Sequence, residues 1–302
     1  MLRRRFKAVL DATVGALTIG LITLVQWFDR RPSANVVAAV TRKIGPLLKE
    51  HQLGREQLRA AFPEKADAEI EQILVSVWDN LGRVVVEFAH LDEFTVQGLG
   101  PDGPDVITYS PETLAHFERI MSDNKAVIGF TAHYANWELG AVCAKALGAK
   151  TAVLFRRPDI GSVSDLIVKL REPLMGQMIA TGLDAPIRLA RLLQSGTHVG
   201  MLADQHYTKG VPVTLFGRQC LGNPLVAMLA RQTEAPIHGI RVVRKTDDRN
   251  GFWGEITDAI PPVRDADGRI DVPGTTQALT TVMEGWIREY PEQWLWLHRR
   301  WR

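Results

Sequence analysis

Apolar positions in the first third of the chain recur at helical spacing. Ser33 can cap a helix that carries Val36, Val37, Val40, Ile44, Leu47 and Leu48 on one side. Asp67 can cap a second, in which Ile70, Ile73, Leu74, Val77, Trp78, Leu81 and Val85 form one apolar stripe over five turns. The glycine- and proline-rich stretch 98–104, GLGPDGP, then breaks the pattern. Beyond it, short apolar runs alternate with amphipathic segments. Strands are expected at 126–130, 151–155, 199–203, 237–243 and 252–256. Helices are expected at 136–147 (ending at Gly148), 162–175, 186–194, 224–232 and 276–290. This alternation predicts an α/β fold, a mixed or mostly parallel sheet flanked by helices.

The amino-terminal segment has a different character. Seventeen residues without a charge lie between Asp11 and Asp29. As a helix they would span roughly 25 Å, at the short end for a hydrocarbon core of about 30 Å. Arg3, Arg4, Arg5 and Lys7 precede the run, Arg30 and Arg31 follow it, and Trp27 and Phe28 stand at its edge. A cleaved signal peptide would need small residues where Gln26, Trp27 and Phe28 stand. The expectation is a membrane-anchor helix over 1–31, transmembrane or lying flat, with a buried core helix as the alternative. Residues 32–302 then form the α/β domain, of which 32–97 is a helical part.

The 302 residues are 46% hydrophobic and 23% charged, which suits a globular core and excludes a disordered chain. A net charge of +2 gives no reason to expect nucleic acid as a partner. The only cysteines, Cys143 and Cys220, form no CxxC pair, so neither a disulfide framework nor a zinc knuckle is expected. Four of the eight tryptophans, Trp286, Trp294, Trp296 and Trp301, fall near the carboxyl terminus, where they either pack in the core or meet a lipid headgroup layer.

Candidate chemistry concentrates just past the expected strands, where open α/β sheets place their ligands. His133 lies three residues beyond 126–130, and Glu138 falls in the first turn of the next expected helix. On one continuous helix two residues five apart point about 140° away from each other, so the pair can converge only if His133 is on the loop. A neutral imidazole so placed can take a proton from a hydroxyl near pH 7, with the carboxylate fixing its tautomer. The alternative is a structural histidine beside an acid favoured by the helix dipole. No third ligand stands at zinc spacing, and no metal or cofactor is expected. Arg156 and Arg157 follow the strand at 151–155, and Asp204 and Gln205 follow that at 199–203, all on the same sheet edge. The arginines suit a phosphate or an oxyanion.

Taken together, HYANWE at 133–138, FRRP at 155–158, LADQ at 202–205, LFGR at 215–218 and PEQWLW at 291–296 resemble the late acyltransferases of lipid A biosynthesis, the lauroyl/myristoyl acyltransferase family. The resemblance covers nearly the whole chain. It implies transfer of a fatty acyl group from acyl carrier protein to a hydroxyl of a lipid A precursor, in lipopolysaccharide synthesis. It further implies membrane lipid as a partner and a site on the cytoplasmic side of the bacterial inner membrane. His133 would be the base and Glu138 its partner. Arg156 or Arg157, with Asn136, Asp204 and Gln205, would bind substrate, Arg157 matching the family's arginine best. Where many members carry a run of threonines, this chain has Gly222, Asn223 and Pro224. The alternatives are glycerol-phosphate acyl transfer in phospholipid synthesis and a non-catalytic membrane-anchored scaffold.

Overall fold

The computed structural model describes residues 2–99, 106–123 and 125–301, with the side chains of 2–10 and 106 outside the description. The expected turn at 98–104 therefore lies largely outside the described residues, as do the side chains of Arg3, Arg4, Arg5, Lys7 and Arg302. Four helices open the chain: α1 (Leu2–Val25), α2 (Arg30–Ile44), α3 (Lys49–Ala61) and α4 (Asp67–Ala89). There follow β1 (Thr95–Val96), β2 (Val106–Tyr109), α5 (Pro111–Ser122), β3 (Ile128–Thr131), α6 (Leu139–Ala146), β4 (Thr151–Phe155), α7 (Gly161–Met175), β5 (Gln177–Ala180), α8 (Ala185–Gln194) and β6 (His198–Leu202). The hairpin β7 (Val211–Leu215) and β8 (Arg218–Gly222), α9 (Leu225–Thr233), β9 (Ile237–Arg244), β10 (Phe252–Ile256) and α10 (Val272–Glu289) complete it.

Eight strands form one sheet in the order β1-β2-β10-β9-β3-β6-β4-β5. β9 and β10 pair antiparallel and every other neighbour pair is parallel, so the sheet is mixed, as expected. Side chains alternate across it. Ile128, Phe130, Val199 and Met201 share a core with Leu189 of α8, Leu229 of α9 and Met283 and Trp286 of α10. On the other side Leu139, Val142 and Cys143 of α6 and Met175 of α7 pack with Val242, Tyr109 and Phe252. The stripe on α4 supplies Ile70, Leu74, Val77 and Trp78 to the larger core. The LFGR stretch is the hairpin turn, with Phe216 and Gly217 both at positive φ, 52° and 70°, as a two-residue hairpin loop requires.

The spanning-anchor expectation does not hold for the described residues, in which no helix is long and apolar enough to cross a membrane. α1 does form over the expected run, but Thr13, Gly15, Thr18, Gly20 and Thr23 dilute its apolar character. It also packs on the domain. A Cβ on Gly15 would meet Ser162 Oγ of α7 at 2.5 Å, and Gln26 Nε2 donates to the Ala89 carbonyl of α4 at 2.9 Å. Leu17, Leu21, Leu24, Trp27 and Phe28 remain exposed, as do Val36, Val40, Ile44 and Leu47 beyond them.

Candidate active site

Strand register brings the central pair together. Thr131 of β3 pairs with Leu202 of β6, and His133 and Asp204 each stand two residues further on. The two side chains therefore leave adjacent parallel strands at the same edge. His133 Nδ1 lies 2.8 Å from Asp204 Oδ1, and the His133 backbone N–H donates to Asp204 Oδ2 at 2.9 Å. The Trp294 indole donates to the same Oδ2 at 2.7 Å. Burial alone would raise the Asp204 carboxyl. The facing His133 imidazole and the three donated hydrogen bonds outweigh that and hold it down at about 2. Burial likewise opposes the charged form of His133, but Asp204, and more weakly Glu138, raise it above its ordinary value. An ionised Asp204 requires the proton on Nδ1, which makes Nε2 the acceptor. Gln205 Nε2 stands 3.3 Å from that nitrogen.

Glu138 is not the hydrogen-bonding partner of His133. Its Oε1 is held by the Arg171 guanidinium of α7 and by the Trp137 indole, the latter at 3.1 Å. The reason is local. The helix begins only at Leu139, and Glu138 at its start turns toward α7. Asp204 occupies the place expected of Glu138. Asn136, expected among the substrate-binding groups, is fully buried away from the cavity described below. Its amide donates to Glu87 at 3.0 Å and its carbonyl accepts from the Glu138 backbone at 3.2 Å.

The loop that carries His133 is strained and braced. Ala135 has φ 45°, unusual for a residue with a Cβ. Its N–H donates to the Gln293 carbonyl at 2.8 Å and its carbonyl accepts from Asn80 at 3.2 Å. Behind it, Arg244 of β9 makes paired bonds of 2.6 and 2.9 Å to Glu87 of α4, and a third of 2.9 Å to Asn80. The carboxyl-terminal segment closes the other side. The Leu295 N–H donates to the His133 carbonyl at 3.0 Å, Tyr134 bridges to Trp294, and the Gln293 side chain bonds the Arg244 backbone in both directions. The PEQWLW stretch is therefore part of the site.

His133 opens on a cavity of about 930 Å³. From His133, Glu138, Asp204 and Gln205 at one end it runs over Gly129 and Gly200 to Val127, Ile120 and Met121 at the other. Glycines pair at adjacent positions of β3 and β6: Gly129 admits the Ile240 side chain, whose Cδ1 a Cβ would meet at 2.7 Å, and Gly200 keeps the floor low. A Cβ on Gly200 would find nothing nearer than Val153 Cγ2 at 4.0 Å. Leu114, Phe117, Leu147 and Ile240 make the walls apolar. Of the two arginines after β4, both exposed, Arg156 borders the cavity and Arg157 does not. Arg171, His298, Arg299 and Arg300 also border it. The ring centres of His298 and His133 are 6.4 Å apart. Arg171 carried no signal in the sequence, since only the fold brings α7 against α6. No group of three or more ligating side chains that could hold a metal occurs among the described residues.

A mixed α/β sheet with an oriented imidazole bordering a largely apolar cavity is an arrangement that can activate a hydroxyl. In comparison with known families, residues 3–302 match the bacterial lipid A biosynthesis acyltransferases. The chain belongs to that family. No curated protein sequence matches it.

Proposed function

We propose that the protein transfers a fatty acyl group from acyl carrier protein to a hydroxyl of a lipid A precursor. The observation that carries this reading is the Asp204-oriented imidazole of His133 opening on the apolar cavity. His133 Nε2 takes the proton of the acceptor hydroxyl, and its oxygen bonds to the thioester carbonyl carbon. The carbonyl becomes a tetrahedral oxyanion, which Arg156 at the cavity border is suited to oppose. Collapse of the intermediate breaks the carbon–sulfur bond. The departing thiolate takes the proton back from the imidazolium, so the base is regenerated. The Gln205 amide, which donates toward His133 Nε2, gives way to the acceptor hydroxyl, and Glu138 contributes field to the imidazole, its charge compensated by Arg171.

The exposed apolar residues of α1 and α2 suit contact with a lipid surface, and the proposed donor places the reaction on the cytoplasmic face of the bacterial inner membrane. The test is acyl transfer by the purified chain from acyl carrier protein to a lipid A precursor, followed by mass spectrometry. His133→Ala is expected to lose about 10²–10⁴-fold of the rate. A variant within tenfold of the parent overturns the assignment of the base.

A further inference from the structure

Buried guanidinium groups elsewhere in this protein face carboxylates. Arg244 meets Glu87, Arg83 meets Asp79, and Arg241 meets Glu255 and Glu289. Arg300 is as buried as these, yet no carboxylate of the described residues lies within 4.0 Å of it. Its Nη1 donates to the Leu221 carbonyl at 2.8 Å, while its Nε is buried without a partner. An uncompensated buried cation is unfavourable unless something supplies the opposite charge. Arg300 also borders the cavity that contains His133, so a ligand there can supply it.

The surroundings favour an anion. Arg299 and Arg156, both exposed, border the same cavity. So does Asn223, which lies two residues beyond the carbonyl that holds Arg300. The Asn223 carbonyl oxygen accepts from the Leu225 N–H at 3.1 Å, which leaves its amide N–H groups available as donors. A planar fork with free donors, flanking cations and a neutral amide matches the tetrahedral oxygens of phosphate.

We propose that Arg300, with Arg299 and Asn223, forms a phosphate-binding subsite on the wall of the catalytic cavity. This rests on the acyl-transfer reading for its biological ligand but not for its chemistry. The phosphate belongs either to the sugar of the acceptor or to the pantetheine arm that carries the acyl thioester. Both have the same chemistry, and the test separates them.

The first measurement is independent of activity. Inorganic phosphate, against chloride at matched ionic strength, raises the melting temperature of the parent, less that of Arg300→Lys, and not that of Arg300→Gln. The second is steady-state kinetics with each substrate in phosphorylated and dephosphorylated form: the acceptor in one arm, an acyl-pantetheine thioester in the other. In one arm only, the parent's preference for the phosphorylated form falls about 10- to 100-fold in the variants, with KM moving more than kcat. The arm that responds identifies the source. Should Arg300→Gln fail to fold, Arg300→Lys and Arg299→Gln carry the test. Folded variants that keep the parent's phosphate response and its preference in both arms overturn the proposal, as does a fall in melting temperature with both readouts unchanged. A parent with no acyl transfer overturns the function proposed above, and the phosphate response still decides the subsite.

Discussion

His133 and Asp204 titrate as one interacting pair, and under the proposed mechanism the same contact governs both rate and stability. The proposed base works only when neutral, and Asp204 holds the imidazole above its ordinary 6.5. The acidic limb of kcat/KM is therefore expected above pH 6.5 in the parent. In Asp204→Asn the attraction is gone and burial dominates, so the limb moves to lower pH while the plateau falls by about 10²–10⁴-fold. Glu138→Gln removes only a weaker field and moves the limb less. A pH–rate series on the three proteins decides between the carboxylates. A large shift for Glu138→Gln with none for Asp204→Asn would reverse their roles. For stability, Asp204 is depressed from 3.8 to about 2, so its contribution is present above 3.8 and is lost as pH falls toward 2. His133 is raised, so the same contact also loses strength as pH climbs through the elevated imidazole value. These are two views of one interaction and do not add.

Three elements distant in sequence hold the His133 loop in its strained shape: α4, β9 and the carboxyl-terminal segment. Glu87→Gln probes that arrangement. It leaves Arg244 buried without a counter-charge and weakens the acceptor of Asn136. Breaking one half of a buried pair costs about 3–5 kcal/mol. Denaturant unfolding should show that loss, with turnover falling at temperatures where the variant is still folded, because the loop loses its brace. Unchanged stability would mean that Arg244 finds another partner. These elements also show what could be read from the chain. The apolar stripe placed α4 and alternating patterns placed β3, β4, β6, β9 and β10, because periodicity is a local property. His133, Asp204 and Arg156 were correctly assigned to one sheet edge. The partner of His133 was not, because it depends on β6 lying beside β3, and strand order is not written in spacing. Chain proximity favoured Glu138, and the ion pair with Arg171 required α7 to be in place. Asn136 sat inside a suggestive motif but serves the brace. Strands β1, β2 and β5 and the hairpin β7–β8 were missed, because short runs such as QMIA, VPVTL and RQCLG carry too little pattern to stand out.

At the scale of the whole molecule, the sheet serves two purposes on its two sides. One side is filled by Ile128, Phe130, Val199 and Met201 against α8, α9 and α10. The other is left low at Gly200, where the cavity occupies space that a larger residue would fill, while the paired Gly129 makes room for Ile240, whose Cδ1 a Cβ there would meet at 2.7 Å. Not every glycine on that side is there for emptiness. A Cβ on Gly254 would lie 2.2 Å from Tyr109 Cε1, so this glycine admits a buried ring. Gly200 has no such neighbour within ordinary contact, only Val153 Cγ2 at 4.0 Å. Two substitutions separate the cases. Gly254→Ala must displace Tyr109 and is expected to destabilise the protein. At Gly200 a Cβ meets no clash, and Gly200→Leu directs the rest of its side chain toward the cavity while removing a strand glycine that is unfavourable by about 0.5–1 kcal/mol relative to alanine. Its melting temperature should hold or rise, while its side chain takes up part of the acyl volume. Transfer of long chains should then fall more than transfer of short ones, measured as a ratio of kcat/KM values across donors of graded length. If Gly200→Leu remains stable and leaves that ratio unchanged, the fatty chain lies elsewhere, and the glycine floor has some other use.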